Sequence, residues 1–157
     1  MHASISAVAL MLFLSLFCAC QPKEQAPTFD EQEVIQEVEA AVEAFFVADT
    51  SRNAGAVLDL LWPDYTMLAD GQRITYEEVA AGSPAFMASL AVFHTEWTAL
   101  EIIPIAEHAA LLSFLFRDSL VSREGVVTKK RGPTTLYWEK RKGQWKARYG
   151  DADHYPW

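Results

Sequence analysis

The strongest folding constraint lies near the end of the chain, where residues 134–151 have the pattern of a β-hairpin. Two runs rich in Thr, Tyr and Trp flank a polar turn that ends in Gly143, as is typical of paired antiparallel strands. An isolated hairpin is only marginally stable in water, so this one needs further strands and a helical layer over its aromatic face. The rest of the sequence must therefore supply both.

A long amphipathic helix is predicted over about residues 30–50. Thr28-Phe29-Asp30-Glu31 has the pattern of a capping box, and apolar residues follow it at helical spacing. The break at Asn53-Ala54-Gly55 separates this helix from a shorter one over residues 56–61. Trp62-Pro63 stops that second helix.

A short strand and a third helix come next. Residues 65–68 form the strand, and Asp70-Gly71 is a turn signal. Thr75-Tyr76-Glu77-Glu78 is a second capping box. The third helix is expected to run from there to about Leu90, with an interruption near Gly82-Ser83-Pro84.

Strand patterns fill the remainder of the chain. Residues 93–103 form one strand, which Pro104 is expected to end or to mark as an edge strand, and residues 109–121 form a longer one. A strand over residues 126–131 precedes the hairpin. Helices followed by antiparallel strands predict an α+β fold with three N-terminal helices on one sheet.

The net charge of −8 argues against nucleic acid as a partner, because phosphate contacts require a clustered basic surface. The basic runs Lys129-Lys130-Arg131 and Lys140-Arg141-Lys142 are interpreted as solvated hairpin ends. No repeat is apparent, and the length corresponds to one domain after a leader.

The first 22 residues contain no Lys, Arg, Asp or Glu, and residues 5–17 form an apolar run too short to span a bilayer comfortably. Phe17-Cys18-Ala19-Cys20 resembles the bacterial lipobox. The resemblance implies a signal peptide over residues 1–19, a lipidated Cys20 and a linker to residue 28. The protein would then be anchored in the outer or cytoplasmic membrane of a bacterial envelope, with its domain in the periplasm or outside. Cleavage by an ordinary signal peptidase and an uncleaved anchor are the alternatives.

Metal and cofactor chemistry have no sequence signal. Both cysteines lie in the leader, so the predicted domain has no disulfide and no thiolate ligand. The four histidines are His2, His94, His108 and His154, and they lack ligand spacing. There is no Gly-rich phosphate loop and no nucleophile elbow. We therefore predict neither a metal nor a cofactor.

The order of elements, together with the closing pattern Thr135…Gly143-x-Trp145-x-x-x-Tyr149-x-Asp151, resembles the nuclear transport factor 2-like (NTF2-like) superfamily. The closest likeness is to its SnoaL-like bacterial branch, and the domain would span residues 29–157. The resemblance implies a cone-shaped fold whose curved sheet wraps the helices and opens into a small-molecule pocket. Members include isomerases, dehydratases and non-catalytic binding domains, so the fold alone does not give the function. Many SnoaL-like chains have a His near the position that Asp151 occupies here.

Candidate catalytic residues come from the last strand. Alternation places Tyr149 and Asp151 on the same face as Trp145, which we expect to point into the cone. An Asp in an aromatic pocket would have a raised pKa, which suits a general acid or base. Tyr149 or His154 would be the proton donor. A solvated Asp151 at the strand end is the alternative.

Further polar and aromatic residues are candidates for ligand contact. Of Arg117 and Asp118, only one can face the cone, and both could lie at an exposed strand end. His94 and Trp97 should face opposite ways on their strand, and Tyr65 should lie near the pocket mouth. The predicted ligand-binding set is Tyr65, Trp97, Arg117, Tyr137 and Tyr149.

Two functional hypotheses follow. In the favoured one, an exported domain binds a small apolar molecule or a partner chain without catalysis, with a homodimer through the sheet as a further option. In the other, a cofactor-free isomerase or dehydratase uses Asp151 as its acid or base. A dry cavity without a buried carboxylate would exclude the enzyme.

The lipobox pattern makes a direct prediction about membrane attachment. We expect Cys20→Ser to release the protein into the soluble fraction, because stable anchoring requires the acyl chains that Cys20 would carry. The matched variant Cys18→Ser should stay with the membrane. Fractionation followed by immunoblotting measures this, and equal retention of both variants would contradict lipidation.

Overall fold

The computed structural model describes residues 29–157. The predicted signal peptide 1–19, Cys20 and the linker to residue 28 lie outside the described residues. Within them, no helix combines the length and apolarity that crossing a bilayer requires.

Three helices and seven strands make up the described chain, and the predicted α+β class is confirmed. The helices are α1 (Glu31–Thr50), α2 (Ala54–Asp59) and α3 (Tyr76–Ser89). The strands are β1 (Leu61–Ala69), β2 (Gln72–Thr75), β3 (Leu90–Ala106), β4 (Ala109–Ser122), β5 (Val127–Arg141), β6 (Gln144–Ala152) and β7 (Tyr155–Pro156).

All seven strands belong to one sheet with the order β2-β1-β6-β5-β4-β3, and β7 continues beside β5. Every pairing is antiparallel except that of β1 with β6. Bulges in β3 and at the β5–β6 pair bend the sheet, because an extra residue in one strand kinks it and increases its twist. The helices cover the concave face of this curved sheet.

The helix starts follow from capping side chains. The carboxylate of Asp30 accepts hydrogen bonds from the backbone N–H groups of Gln32 and Glu33, so α1 is capped two residues later than the predicted Thr28. The capping box of Thr75 and Glu78 opens α3 as predicted.

The prolines act only partly as predicted. Pro84 lies inside α3, which continues past it at the loss of one intrahelical donor. The second helix ends before Trp62-Pro63, as predicted, and these two residues belong to β1. Pro104 does not end β3, which extends to Ala106, but β3 is an edge strand of the sheet. The predicted strand over residues 126–131 and the first hairpin strand are one strand, β5. At these positions the helix or strand continues because long-range sheet pairing and packing outweigh the local conformational preference of the sequence.

The core forms where α1 packs on the concave face of the sheet. Its largest fully buried side chains are Trp138, Leu112 and Val38. The apolar stripe of α1 meets Trp138 through Phe45, whose ring lies edge-on with centroids 6.1 Å apart. This packing covers the aromatic face of the hairpin, as the sequence required.

Trp145 is a core residue with a polar attachment, and its loss should be costly. The side chain is 7% exposed, and its indole N–H donates to Glu37 Oε2 at 2.8 Å. We expect Trp145→Ala to lower the free energy of unfolding by about 3–5 kcal/mol, because it leaves a large cavity. The matched variant Trp157→Ala removes an indole that is 45% exposed and should cost much less. Urea denaturation compares the two, and equal losses would contradict this packing.

Candidate functional site

A cavity of about 300 Å³ lies between the helices and the concave face of the sheet. This volume is at the lower end of the range for small-molecule sites. Most of its wall is apolar, and seven aromatic residues contribute: Phe45, Tyr65, Phe86, Phe93, Trp97, Phe114 and Phe116. The polar residues on the wall are Asp49, Asp118, Lys130, Thr134 and His154.

Stacked rings fix the shape of the apolar wall. Trp97 on β3 stacks on Phe114 of β4 with centroids 4.1 Å apart. Phe45 and Phe46 of α1 pack against the same indole at 6.2 and 4.9 Å. The wall is therefore built jointly by the helix and the sheet, with Trp97 between them.

Asp49 brings a carboxyl group into this aromatic wall. It lies one helical turn after Phe45 on α1 and lines the cavity. Burial and, to a smaller extent, the negative charge of Asp118 together raise the pKa of Asp49 from 3.8 to about 7. Near neutral pH this group can therefore exist both as an acid and as a base.

Asp118 is the second carboxyl group of the cavity. It lies on β4, and burial raises its pKa, while contacts with Thr95, His154 and Lys130 act in the opposite direction. Thr95 is its partner in the β3–β4 register, and the buried Thr95 hydroxyl has no hydrogen-bond partner of good geometry among the described residues. Neither Asp49 nor Asp118 forms an ion pair within residues 29–157.

Tyr65, which the sequence predicts near the pocket mouth, supplies a neutral hydroxyl to the cavity wall. It is 5% exposed, and burial raises its pKa, so it keeps its proton throughout the neutral range. The hydroxyl lies over Gly150 of β6, where an added Cβ would come within 2.6 Å of the oxygen. A glycine is therefore needed at residue 150 for Tyr65 to occupy this position.

A bulge in β6 overturns the predicted orientation of Tyr149 and Asp151. Trp138 pairs with Ala147 and Tyr137 with Tyr149, so Arg148 is an extra residue on β6. One extra residue reverses the alternation of every later side chain. Tyr149 and Asp151 therefore lie on the opposite face from Trp145, outside the cavity.

The remaining predicted site residues divide between the two faces of the sheet. Trp97 lines the cavity, whereas Arg117 points outward and lies 5.1 Å from the ring of Trp157. Tyr137 pairs with Tyr149 on the outer face. His94 also faces outward, and its Nε2 lies 3.6 Å from the carboxylate of Glu96. Of the Arg117-Asp118 pair, it is Asp118 that faces the cone.

His154 lies at the cavity wall, as predicted for a catalytic candidate, but not beside Asp151. Its ring packs on Phe116 with centroids 5.2 Å apart, and its Nδ1 lies 3.1 Å from Asp70 Oδ2. The structure therefore brings together Tyr65, Trp97 and His154, and it separates them from Arg117, Tyr137, Tyr149 and Asp151.

Asp49 was not among the functional residues predicted from the sequence, although the sequence contains a signal for it. Val34, Val38 and Val42 define an apolar stripe that continues through Phe45, and Asp49 follows on the same face at i+4. A carboxylate at the end of an apolar stripe is costly to bury. The position of Asp49 in the sequence is therefore enough to identify it as a candidate.

Within residues 29–157, no group of three or more His, Cys, Asp or Glu side chains is arranged to hold a metal ion. The polar groups on the cavity wall are two carboxyls, one imidazole, one ammonium and two hydroxyls. Their chemistry is proton donation and acceptance.

Comparison with known proteins shows the fold. No protein-family model and no curated protein matches the sequence. Among solved structures, a conserved protein from Planctomyces limnophilus is similar with a TM-score of 0.72 and 16% identity, over 80% of this chain and 99% of that one. An NTF2-like superfamily protein from Salmonella enterica has a TM-score of 0.67 and 15% identity, over 77% and 90%.

A ketosteroid isomerase-like protein from Erwinia carotovora has a TM-score of 0.64 and 17% identity, over 76% of this chain and 94% of that one. The chain therefore has the NTF2-like fold, as the closing sequence pattern predicted. At these identities the likeness is one of fold, and function has to be argued from the cavity.

The raised pKa of Asp49 predicts how stability depends on pH. Because the folded state binds this proton more tightly than the unfolded state, the group's effect on stability is most favourable below pH 4. That advantage is lost as the pH rises from about 4 to about 7. Asp49→Asn removes the titratable group. We therefore expect the substitution to raise the free energy of unfolding, and by roughly 2–3 kcal/mol more at pH 8 than at pH 5.

Urea denaturation at the two pH values measures this difference. Asp151→Asn is the matched control, since Asp151 lies on the outer face of the sheet, away from the cavity. A pH-independent effect of Asp49→Asn would contradict a half-buried carboxyl group on the cavity wall.

Proposed function

We propose that the cone binds a small, mostly apolar molecule bearing a carbonyl or hydroxyl group and that Asp49 moves a proton on it without a cofactor. The reaction class is that of an isomerase or dehydratase. The observation that carries the proposal is the pair of carboxyl groups, Asp49 and Asp118, that face one aromatic cavity with no cation paired to either among the described residues.

Asp49 has the properties of a general acid–base group. A catalytic group is most effective when its pKa lies near the operating pH, and the pKa of Asp49 is about 7. As a carboxylate it could take a proton from carbon next to a carbonyl, and as an acid it could return one. The negative charge of Asp118 opposes ionisation of Asp49 and therefore favours its protonated form.

Tyr65 would stabilise the oxygen of the ligand. Its O–H is neutral and lines the same cavity. A fixed donor in a water-poor site is suited to developing negative charge on a carbonyl oxygen. The same division between a carboxyl base and neutral donors is known in enzymes that move protons next to carbonyl groups.

Binding without turnover is the second candidate, because eleven of the sixteen residues on the cavity wall are apolar or aromatic. A wall of this composition can hold an apolar ligand through burial alone. The two candidates differ in whether Asp49 changes its protonation state during a cycle.

The envelope location and the homodimer remain proposals. The lipobox pattern ending at Cys20 supports lipid anchoring. Exposed apolar side chains on the sheet and its rim, including Ile103 at 44% and Leu115 at 50%, support self-association through the sheet.

Hydrogen–deuterium exchange tests proton transfer without knowledge of the natural substrate. With 1-indanone in D2O at neutral pD, we expect the protein to accelerate the loss of the proton NMR signal of the hydrogens on the carbon next to the carbonyl. Asp49→Asn should reduce the acceleration about 100-fold or more, because an amide cannot take the proton. Asp151→Asn should leave it unchanged.

Tryptophan fluorescence separates the two candidates, since Trp97 stacks in the cavity wall. Quenching by 1-indanone together with accelerated exchange supports the enzyme. Quenching with exchange no faster than in buffer would contradict proton transfer and favour binding alone.

A further inference from the structure

A second acid–base pair, Asp70 with His154, lies at the cavity wall and is not used by the proton transfer proposed above. Asp70 follows β1, and its backbone N–H donates to the carbonyl of Ala152 at the end of β6. Its carboxylate accepts a hydrogen bond from the backbone N–H of His154 at 2.7 Å. The two carboxylate oxygens also lie 3.2 and 3.1 Å from Nδ1 of the His154 ring.

These contacts fix the protonation pattern of the neutral ring. A carboxylate can only accept hydrogen bonds, so Nδ1 must carry the hydrogen that faces Asp70. Nε2, on the other side of the ring, is then the acceptor. This tautomer is the reverse of the one that free histidine favours in water.

The ring is held in place from both sides. It packs on Phe116 with centroids 5.2 Å apart and lines the cavity. Asp118 of β4 and Lys130 of β5 share this part of the wall, and Asp49 of α1 faces it from the helix layer. Among the described residues, His154 forms an ion pair only with Asp70.

We propose that His154 is the second acid–base group of the cavity, with Asp70 as its positioning residue, and that the substrate is a β-hydroxy carbonyl compound that loses water. This inference rests on the proposed proton transfer by Asp49. Moving one proton within a molecule requires one acid–base group, whereas removing water requires a base for C–H and an acid for the leaving hydroxyl. The cavity holds both kinds of group on separate elements.

The elimination balances with these residues alone. The Asp49 carboxylate takes the proton from the carbon next to the carbonyl, and that electron pair forms the C=C bond. The C–O bond to the hydroxyl breaks, and protonated His154 donates the hydrogen on Nε2, so the hydroxyl leaves as water. The proton on Asp49 then returns to His154 through solvent, and the reverse sequence adds water.

The tautomer of His154 tests the dyad independently of any substrate. In 15N-labelled protein at a pH where the ring is neutral, we expect the nitrogen NMR shifts to show Nδ1–H and an unprotonated Nε2. In Asp70→Asn, an NH2 group replaces one of the two oxygens that lie beside Nδ1, so the fraction of neutral rings protonated on Nδ1 should fall. Asn also tolerates the positive φ of 50° at residue 70.

Asp153→Asn is the matched control, because Asp153 is the adjacent residue and contacts Tyr155 rather than the ring. It should leave the tautomer of His154 unchanged. A wild-type ring protonated on Nε2, or one unaffected by Asp70→Asn, would overturn the positioning of His154 by Asp70.

A dehydration assay tests the substrate class with 4-hydroxy-4-phenylbutan-2-one, whose conjugated product absorbs in the near ultraviolet. We expect the wild-type protein to form this enone, and His154→Gln to lose about 100-fold or more of the rate. Exchange of 1-indanone should fall less than tenfold in the same variant. Asp153→Asn should retain both rates.

The outcomes separate the two proposals. Exchange without dehydration in the wild-type protein would overturn the β-hydroxy carbonyl class and leave proton transfer by Asp49 standing. Equal losses of the dehydration and exchange rates in His154→Gln would overturn the proposal that His154 is a separate acid. Absence of exchange in the wild-type protein would instead contradict the proposed function.

Discussion

The packing of α1 on the concave face of the sheet is the interaction on which the rest of the structure depends. This helix covers the aromatic face of the hairpin, and its Phe45 and Phe46 hold Trp97 against the strands. The same stripe that drives burial ends in Asp49. Because burial is driven by the apolar residues, the cost of withdrawing one carboxyl group from water is offset by its neighbours.

Because the apolar stripe and Asp49 lie on the same helix, α1 contributes both to the stable core and to the reactive group. The backbone position of Asp49 is set by α1, and α1 cannot move without exposing the core around Trp138. A strained or charged group at a functional site is commonly maintained by surrounding structure that fixes its position. In this protein the surrounding structure is the helix–sheet interface.

Close backbone approaches shape the other end of the cavity. Gly132 leaves room for the chain between β6 and β7, since a Cβ there would lie 1.7 Å from the carbonyl oxygen of Asp153. This approach brings the next residue, His154, to the wall beside Phe116. Gly150 makes the corresponding space for the hydroxyl of Tyr65. Small residues on the sheet therefore determine which polar groups reach the cone.

Much of the fold could be predicted because its signals are local. The capping box at Thr75, the turn at Gly143 and the period-two pattern of the hairpin each act within a few residues. The closing pattern also pointed to the NTF2-like fold. The continuity of α3 through Pro84 was not predictable in this way, because it depends on packing rather than on local propensity.

The site was harder to predict, since its geometry depends on a single extra residue. The bulge at Arg148 has no distinctive sequence signature, and it moves Tyr149 and Asp151 from the predicted inner face to the outer one. Trp97 lies in the part of β3, from Val92 to Thr98, where the register with β4 is unbroken, whereas Tyr65 lies in the irregular part of β1 between Leu61 and Thr66. Asp49 could have been found from its place on the apolar stripe of α1, whereas the contact of His154 with Asp70 joins residues 84 positions apart.

The central claim is that Asp49 is a proton-exchanging group held in an aromatic cavity. The most direct measurement is the titration of its side-chain carboxyl carbon by 13C NMR, with Asp118→Asn as a second sample. The account predicts a midpoint near pH 7 in the wild-type protein and a lower midpoint in the variant, because the neighbouring negative charge is removed. A midpoint near 4 in both samples would show a solvated carboxylate and contradict the account.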